Sequence, residues 1–174
     1  MESIQVRTLP QVGDREIQQL SDVLIDCVEG GASVSFMLPI ARATAVDFWR
    51  SVATGVARGE RILVIAEDLD GRIVGTVQLI LAQAENQPHR ADVAKMLVHR
   101  RARRHGVGAA LLAAAQSAAL EAGKTLLVLD TASGDAERLY ARLGWQRCGV
   151  IPDYALLPGG GFCDTTFFYR ALRE

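Results

Sequence analysis

Apolar residues along this chain fall into two kinds of run, some spaced as one face of a helix and some continuous or alternating as in a strand. Ile17, Leu20, Val23, Leu24, Cys27 and Val28 lie at helical spacing, behind Asp14 as a cap and ahead of Gly30 and Gly31 as a stop. Ala41, Ala45, Phe48, Trp49, Val52, Ala53 and Val56 repeat that spacing, with Pro39 suited to the first turn and Gly59 to the close. Residues 4–9 (IQVRTL), 61–67 (RILVIAE), 72–83 (RIVGTVQLILAQ) and 91–98 (ADVAKMLV) read as strands, the middle two joined by the turn DLDGR into a hairpin. An alanine- and leucine-rich helix follows, running to about Ala122 with Gly123 as its stop. A buried strand at 125–131 (TLLVLDT), a short helix at 135–143 and terminal strands at 145–151 and 165–172 complete the chain.

This order predicts an α/β fold of mixed α+β character, a single domain over residues 1–174 built on one sheet with flanking helices. The first half of the sheet should be antiparallel. The strand at 125–131 follows that at 91–98 through a helix, so a right-handed crossover makes this central pair parallel.

Composition narrows the function. With 174 residues, 49% hydrophobic and 22% charged, the chain can build one real core. A net charge of -1 argues against nucleic acid as the partner. Cys27, Cys148 and Cys163 are widely spaced and form no disulfide or zinc pattern, and His89, His99 and His105 share no ligand spacing, so no metal is expected. The N-terminal stretch lacks a basic and apolar leader pattern, and no apolar run approaches ~18 residues, so the expectation is a cytoplasmic protein with no membrane partner.

Against that balanced background, residues 98–112 (VHRRARRHGVGAALL) concentrate positive charge just before a helix start. A helix N-terminus leaves N–H groups without partners and carries partial positive charge. Glycines let an anion approach the backbone, and arginines add charge-assisted contacts. The stretch therefore predicts a phosphate or pyrophosphate cradle. It is not the dinucleotide fingerprint, whose third small residue is here Leu111, nor a Walker A loop, because Gly123-Lys124-Thr125 leads into a strand and position 118 is Ala118. What remains is R-x-x-G-x-G, at Arg103, Gly106 and Gly108, after a strand.

That motif in that setting resembles the GNAT superfamily of N-acetyltransferases. A second signature is similar in residues 133–145 (SGDAERLYARLGW), where Ala136, Tyr140 and Gly144 match while Ser133 and Trp145 replace the usual Asn and Phe. The stretches GGASVSFM, LDTASG and IPDYALLPGG further resemble the tabtoxin-resistance acetyltransferases, GNAT enzymes acting on an amino-acid-like toxin. The resemblance implies acetyl-CoA as co-substrate, with its pyrophosphate on the N–H groups of Arg104, His105, Gly106, Val107, Gly108 and Ala109. It implies the pantetheine arm beside Met96, Leu97 and Val98, in a gap where the two parallel strands splay, with Ser133 also at the cofactor. Tyr140 becomes the general acid, although its place in a stripe with Ala136, Leu139 and Leu143 reads from pattern alone as core. Asp92 and Asp130 are candidate bases or anchors for the substrate ammonium. Asp26 and Glu29 fall near the loop where the family builds its acceptor site, with Ser33 and Phe36 as candidate contacts, and Asp153 and Tyr154 stand beside them in rank. The function implied is N-acetylation of the primary amine of a small, amino-acid-like molecule, a toxin or antibiotic among the options. The alternatives are acetylation of a protein N-terminus or lysine, or a non-catalytic acyl-CoA-binding module.

Overall fold

The computed structural model describes residues 4–172; residues 1–3 and 173–174 of the predicted span lie outside the described residues. The chain runs β1 (Gln5–Leu9), α1 (Asp14–Glu29), α2 (Arg42–Ala57), β2 (Arg61–Glu67), β3 (Ile73–Leu81), β4 (Arg90–Val98), a single 3-10 turn (Arg100–Ala102), α3 (Val107–Glu121), β5 (Leu126–Thr131), α4 (Gly134–Arg142), β6 (Gln146–Leu156) and β7 (Phe162–Ala171). The strands form one sheet in the order β1-β2-β3-β4-β5-β7-β6. Every neighbouring pair is antiparallel except β4–β5, as the strand–helix–strand order predicted.

The sheet carries a core on each face. Ile17, Leu20, Leu24 and Val28 of α1 pack with Trp49 and Val52 of α2 over Leu63, Ile65 and Leu97. On the other face Val107, Leu111, Leu112 and Ala115 of α3 meet Val64, Val77, Leu79 and Val93, and Tyr140, Trp145 and Phe168 extend that layer. Among the described residues no helix is long and apolar enough to cross a membrane.

Two irregularities in the centre of the sheet matter most. In the β3–β4 ladder Thr76 faces Leu97 and Gln78 faces Ala94, so Val77 stands opposite both Lys95 and Met96. This is a β-bulge, and Lys95 adopts φ 50° within it. In the parallel pair, Arg90, Ala91 and Asp92 match Leu126, Leu127 and Val128, and the pairing then stops. Beyond that point β4 stays paired with β3 as far as Val98, while β5 stays paired with β7 as far as Thr131. The two central strands therefore diverge into a V that opens at their C-terminal ends.

Three element boundaries differ from the sequence reading. Gly13, not Asp14, is the cap of α1, and its N–H donates to the Glu16 carboxylate at 3.0 Å. Pro39 lies outside α2, whose cap is Ala41; the Leu38 N–H instead donates to the Pro158 carbonyl (2.9 Å), which ties this segment to the β6–β7 turn. The terminal hairpin is longer than 145–151 and 165–172. Because β6 is the edge strand and exposed along most of its length, it shows no inward–outward alternation to read, and Pro152 is tolerated there.

Candidate functional site

The opening of the V is continued by the start of α3. Gly106 precedes the helix in the left-handed region at φ 79°, a conformation that glycine adopts without penalty. Ala110 is the first residue of the helix to donate backward, to the Gly106 carbonyl at 3.0 Å. Among the described residues the N–H groups of 104–109 have no protein acceptor on the backbone. Such a run of free, clustered donors at a helix start fits a diphosphate. Gly108 keeps the floor open, since a Cβ there would meet Leu139 Cδ2 at 3.2 Å.

Arg103 braces the loop as well as lining the cleft. Its Nε donates to the Val98 carbonyl at 3.0 Å and its Nη2 lies 3.8 Å from the buried Cys27 Sγ. The guanidinium thus pins the loop to the end of β4. The loop is anchored a second time through Asp26, whose carboxylate accepts from the Arg100 N–H (2.8 Å) and Nε (2.9 Å). Burial alone would raise the Asp26 carboxyl, but these two hydrogen bonds, with His99 close by, hold it below the usual aspartate value. Asp26 thus ties the loop to α1.

Strand ends, loop and α4 enclose a cleft of about 1430 Å³, larger than the ~300–1,000 Å³ typical of a pocket for one small molecule. One wall holds Met96, Leu97, Val98, Arg103, Arg104, Gly106, Val107, Gly108 and Ala109. Ser133 lies on the same wall and caps α4 by accepting from the Ala136 N–H at 3.3 Å. Tyr140 lines the middle, 4% exposed, its ring tilted against Trp145 and Phe168 at centroid distances of 5.8 and 5.7 Å. It is both the core residue that its apolar stripe predicts and a cleft residue. Burial, then the charge of Asp130, push its phenol well above the ordinary tyrosine value, so it stays protonated.

The far end of the cleft contains Asp130, Ser33, Ser35, Phe36, Lys95 and Tyr154. Asp130, at the end of β5, accepts from Thr165 Oγ1 at 3.0 Å. The α1–α2 loop roofs this end: Ser33 Oγ donates to the Leu156 carbonyl at 3.3 Å, and Phe36 stacks edge-on against Phe48 at 5.3 Å. Asp153 sits at a left-handed position of the β6 bulge (φ 50°), its N–H donating to the Asp164 carboxylate.

Five candidates fall outside the cleft wall: Asp26, Glu29, Asp92, His105 and Asp153. Asp92 occupies the last paired position before the strands diverge, and its carboxylate is ion-paired with Arg90 at 2.9 Å. It lies below the opening of the V and is not among the residues that line the cleft. His105 is exposed and does not line the cleft. Conversely, Lys95 was missed by the sequence reading, though a lysine inside the apolar run ADVAKMLV was a legible signal. Among the described residues no group of three or more His, Cys, Asp or Glu is placed to hold a metal.

Comparison with known proteins places this geometry. The model of the acetyltransferase (GNAT) domain matches residues 58–147, just over half of the chain. A GNAT superfamily phosphinothricin acetyltransferase from Sinorhizobium meliloti, solved in complex with acetyl-CoA, superposes with a TM-score of 0.80 at 17% identity, covering 97% of this chain and 88% of that one. A ribosomal-protein-alanine N-acetyltransferase from Brucella melitensis gives a TM-score of 0.76 at 21% identity over 97% and 99% of the two chains. An N-acetyltransferase from Staphylococcus aureus Mu50 gives 0.79 at 15% identity over 98% and 99%. At these identities the likeness is one of fold.

Proposed function

The chain belongs to the GNAT acetyltransferase family, and from that premise we propose that it is an acetyl-CoA-dependent N-acetyltransferase of a small, amino-acid-like primary amine in the cytoplasm, with an amino-acid-type toxin among the acceptors it would take. The observation that carries this reading is the run of unpartnered N–H groups at 104–109, opening onto the V between β4 and β5. Those donors would hold the pyrophosphate, with residues 96–98 alongside the pantetheine arm on the edge of β4 that lacks a β5 partner. Acetyl-CoA supplies, when bound, an activated thioester.

The chain's own residues then have defined tasks. An amine acceptor with a pKa near ~10 arrives protonated at neutral pH. Asp130, held by Thr165, takes that ammonium as its ion partner and receives the proton directly or through water. Tyr140, kept protonated by burial and by Asp130, gives its phenolic proton to the departing sulfur. The roof over the acceptor end, fixed by Ser33 to Leu156 and by Leu38 to Pro158, favours a small acceptor over a peptide that needs an open groove.

The test is thiol release from acetyl-CoA across amino acids, polyamines, aminoglycosides and peptides. Turnover with a small amine is expected, and Tyr140→Phe should slow the chemical step by about 100-fold while coenzyme A affinity holds. Tight coenzyme A binding with no turnover on any acceptor would instead identify a binding module.

A further inference from the structure

Lys95 is an unexpected residue for its position. It sits in the middle of β4, flanked by buried Val93 and Leu97, in the left-handed conformation of the bulge. Its ammonium makes one hydrogen bond among the described residues, to Ser35 Oγ at 3.0 Å, and lies 5.8 Å from the Phe48 ring centroid. It belongs to none of the ion pairs among those residues. An ammonium has three donors, so capacity is left over. The residue is half-buried, and burial, opposed by Asp130 and reinforced by Arg61, lowers its proton affinity. Ser35 itself is held at φ 79°, so the loop is set in an uncommon conformation where it meets the ammonium. All of this faces the same end of the cleft as Asp130.

Opposite charges thus stand on the two arms of the V, Lys95 on β4 and Asp130 at the end of β5. We infer that Lys95 and Asp130 form a two-point clamp for a zwitterion, with Lys95 taking the acceptor's carboxylate and Asp130 its amine. An incoming carboxylate supplies the partner that the Lys95 ammonium lacks and leaves the amine on the Asp130 side, next to Tyr140. Lys95 is then a specificity-determining residue: it selects amino acids and related anionic amines over simple amines. This rests on the acetyl-transfer reading given above.

The experiment is a paired acceptor panel with acetyl-CoA: L-lysine against cadaverine, L-ornithine against putrescine, and L-phenylalanine against phenethylamine. The wild-type protein should prefer the carboxylate-bearing member by about 100-fold in kcat/KM, most of it in KM. Lys95→Met should erase that preference, Lys95→Arg should retain part of it, and Lys95→Glu should turn it toward the diamines. Coenzyme A affinity by calorimetry checks that each variant is folded; where one is not, the wild-type panel decides alone. Equal rates for both members of each pair, or a preference that survives Lys95→Met, would overturn the clamp and leave acetyl transfer standing. A protein that binds coenzyme A but turns over no acceptor would overturn both.

Discussion

The contact between α3 and the sheet depends on the absence of one side chain. Gly75 is buried in β3, opposite Val98 of β4. A Cβ built there would lie 3.1 Å from each of Leu111 Cδ1, Val107 Cγ1 and the Leu97 carbonyl oxygen. Carbon contacts are most favourable at ~3.5–4.0 Å, so Gly75→Ala requires three neighbours to yield by about 0.4 Å. The Leu97 carbonyl belongs to the β3–β4 ladder and gives way poorly. The relief falls on Val107 and Leu111, which means that the first turns of α3 lift from the sheet. Overpacking of this kind costs about 1–3 kcal/mol, and the stiffer unfolded chain returns about 0.4–1 kcal/mol. A net loss of about 1–2 kcal/mol lowers Tm by roughly 2–8 °C for a domain of this size. Because the same turn carries the amides of Val107, Gly108 and Ala109, coenzyme A affinity should fall by about fivefold, the equivalent of about 1 kcal/mol. Calorimetric titration and thermal melts with and without coenzyme A read both effects. Gly149→Ala on β6 is the control: a Cβ there meets nothing within 4 Å, and stability should be unchanged or slightly higher. If Gly75→Ala melted with the wild type and bound coenzyme A equally well, the close approach of α3 would not be what sets the cradle.

Two further substitutions test the cradle from other sides. Gly106→Ala should cost about 1–2 kcal/mol in urea denaturation through its left-handed backbone alone, since a Cβ at Gly106 meets nothing within 4 Å; no loss would show that the loop tolerates another conformation. Asp26→Asn should cost about 2 kcal/mol at neutral pH by weakening the hold on Arg100. Asp26 has a lowered folded value, so its contribution is complete above the ordinary aspartate value of about 3.9 and is lost as pH falls through the folded value. The gap between wild type and variant should close over that acid range, and a gap constant with pH would refute the assignment.

Much of the architecture was readable because it depends on period and punctuation. The stripe from Ile17 to Val28 is the buried face of α1, and the strand–helix–strand order gave the parallel pair. The free N–H groups proposed as a diphosphate cradle were legible because their chemistry is local, all of it within one loop and one helix start. The end of the cleft proposed for the acceptor was not, because it is assembled from α1–α2, β4, β5 and the β6–β7 hairpin, and no spacing in the chain records that Ser35 meets Lys95 or that Thr165 meets Asp130. Asp92 and Asp130 looked equivalent for the same reason. Only the register, with pairing that ends at Asp92, separates the carboxylate below the V from the one at its mouth.

The bulge on β4 accounts for three features that otherwise look independent. In a regular strand, residues an even number apart share a face. Val93 and Leu97 are four apart, yet Val93 packs in the core under α3 and Leu97 in the core under α1 and α2. The residue consumed between them reverses the alternation. Upstream of the bulge, Ala91 and Val93 face α3; downstream, Met96 and Val98 do. A bulge also bends its strand and increases local twist, and it follows shortly after Asp92, where the pairing of β4 with β5 ends. The residue at the bulge itself is Lys95, carried toward Ser35 and Phe48. One extra position in one strand therefore reverses the facing of residues 96–98 along the edge of the gap and brings a cation to the end of the cleft that Asp130 also lines. A charged side chain is tolerated in the centre of the sheet because the same irregularity that puts it there turns it toward the cleft.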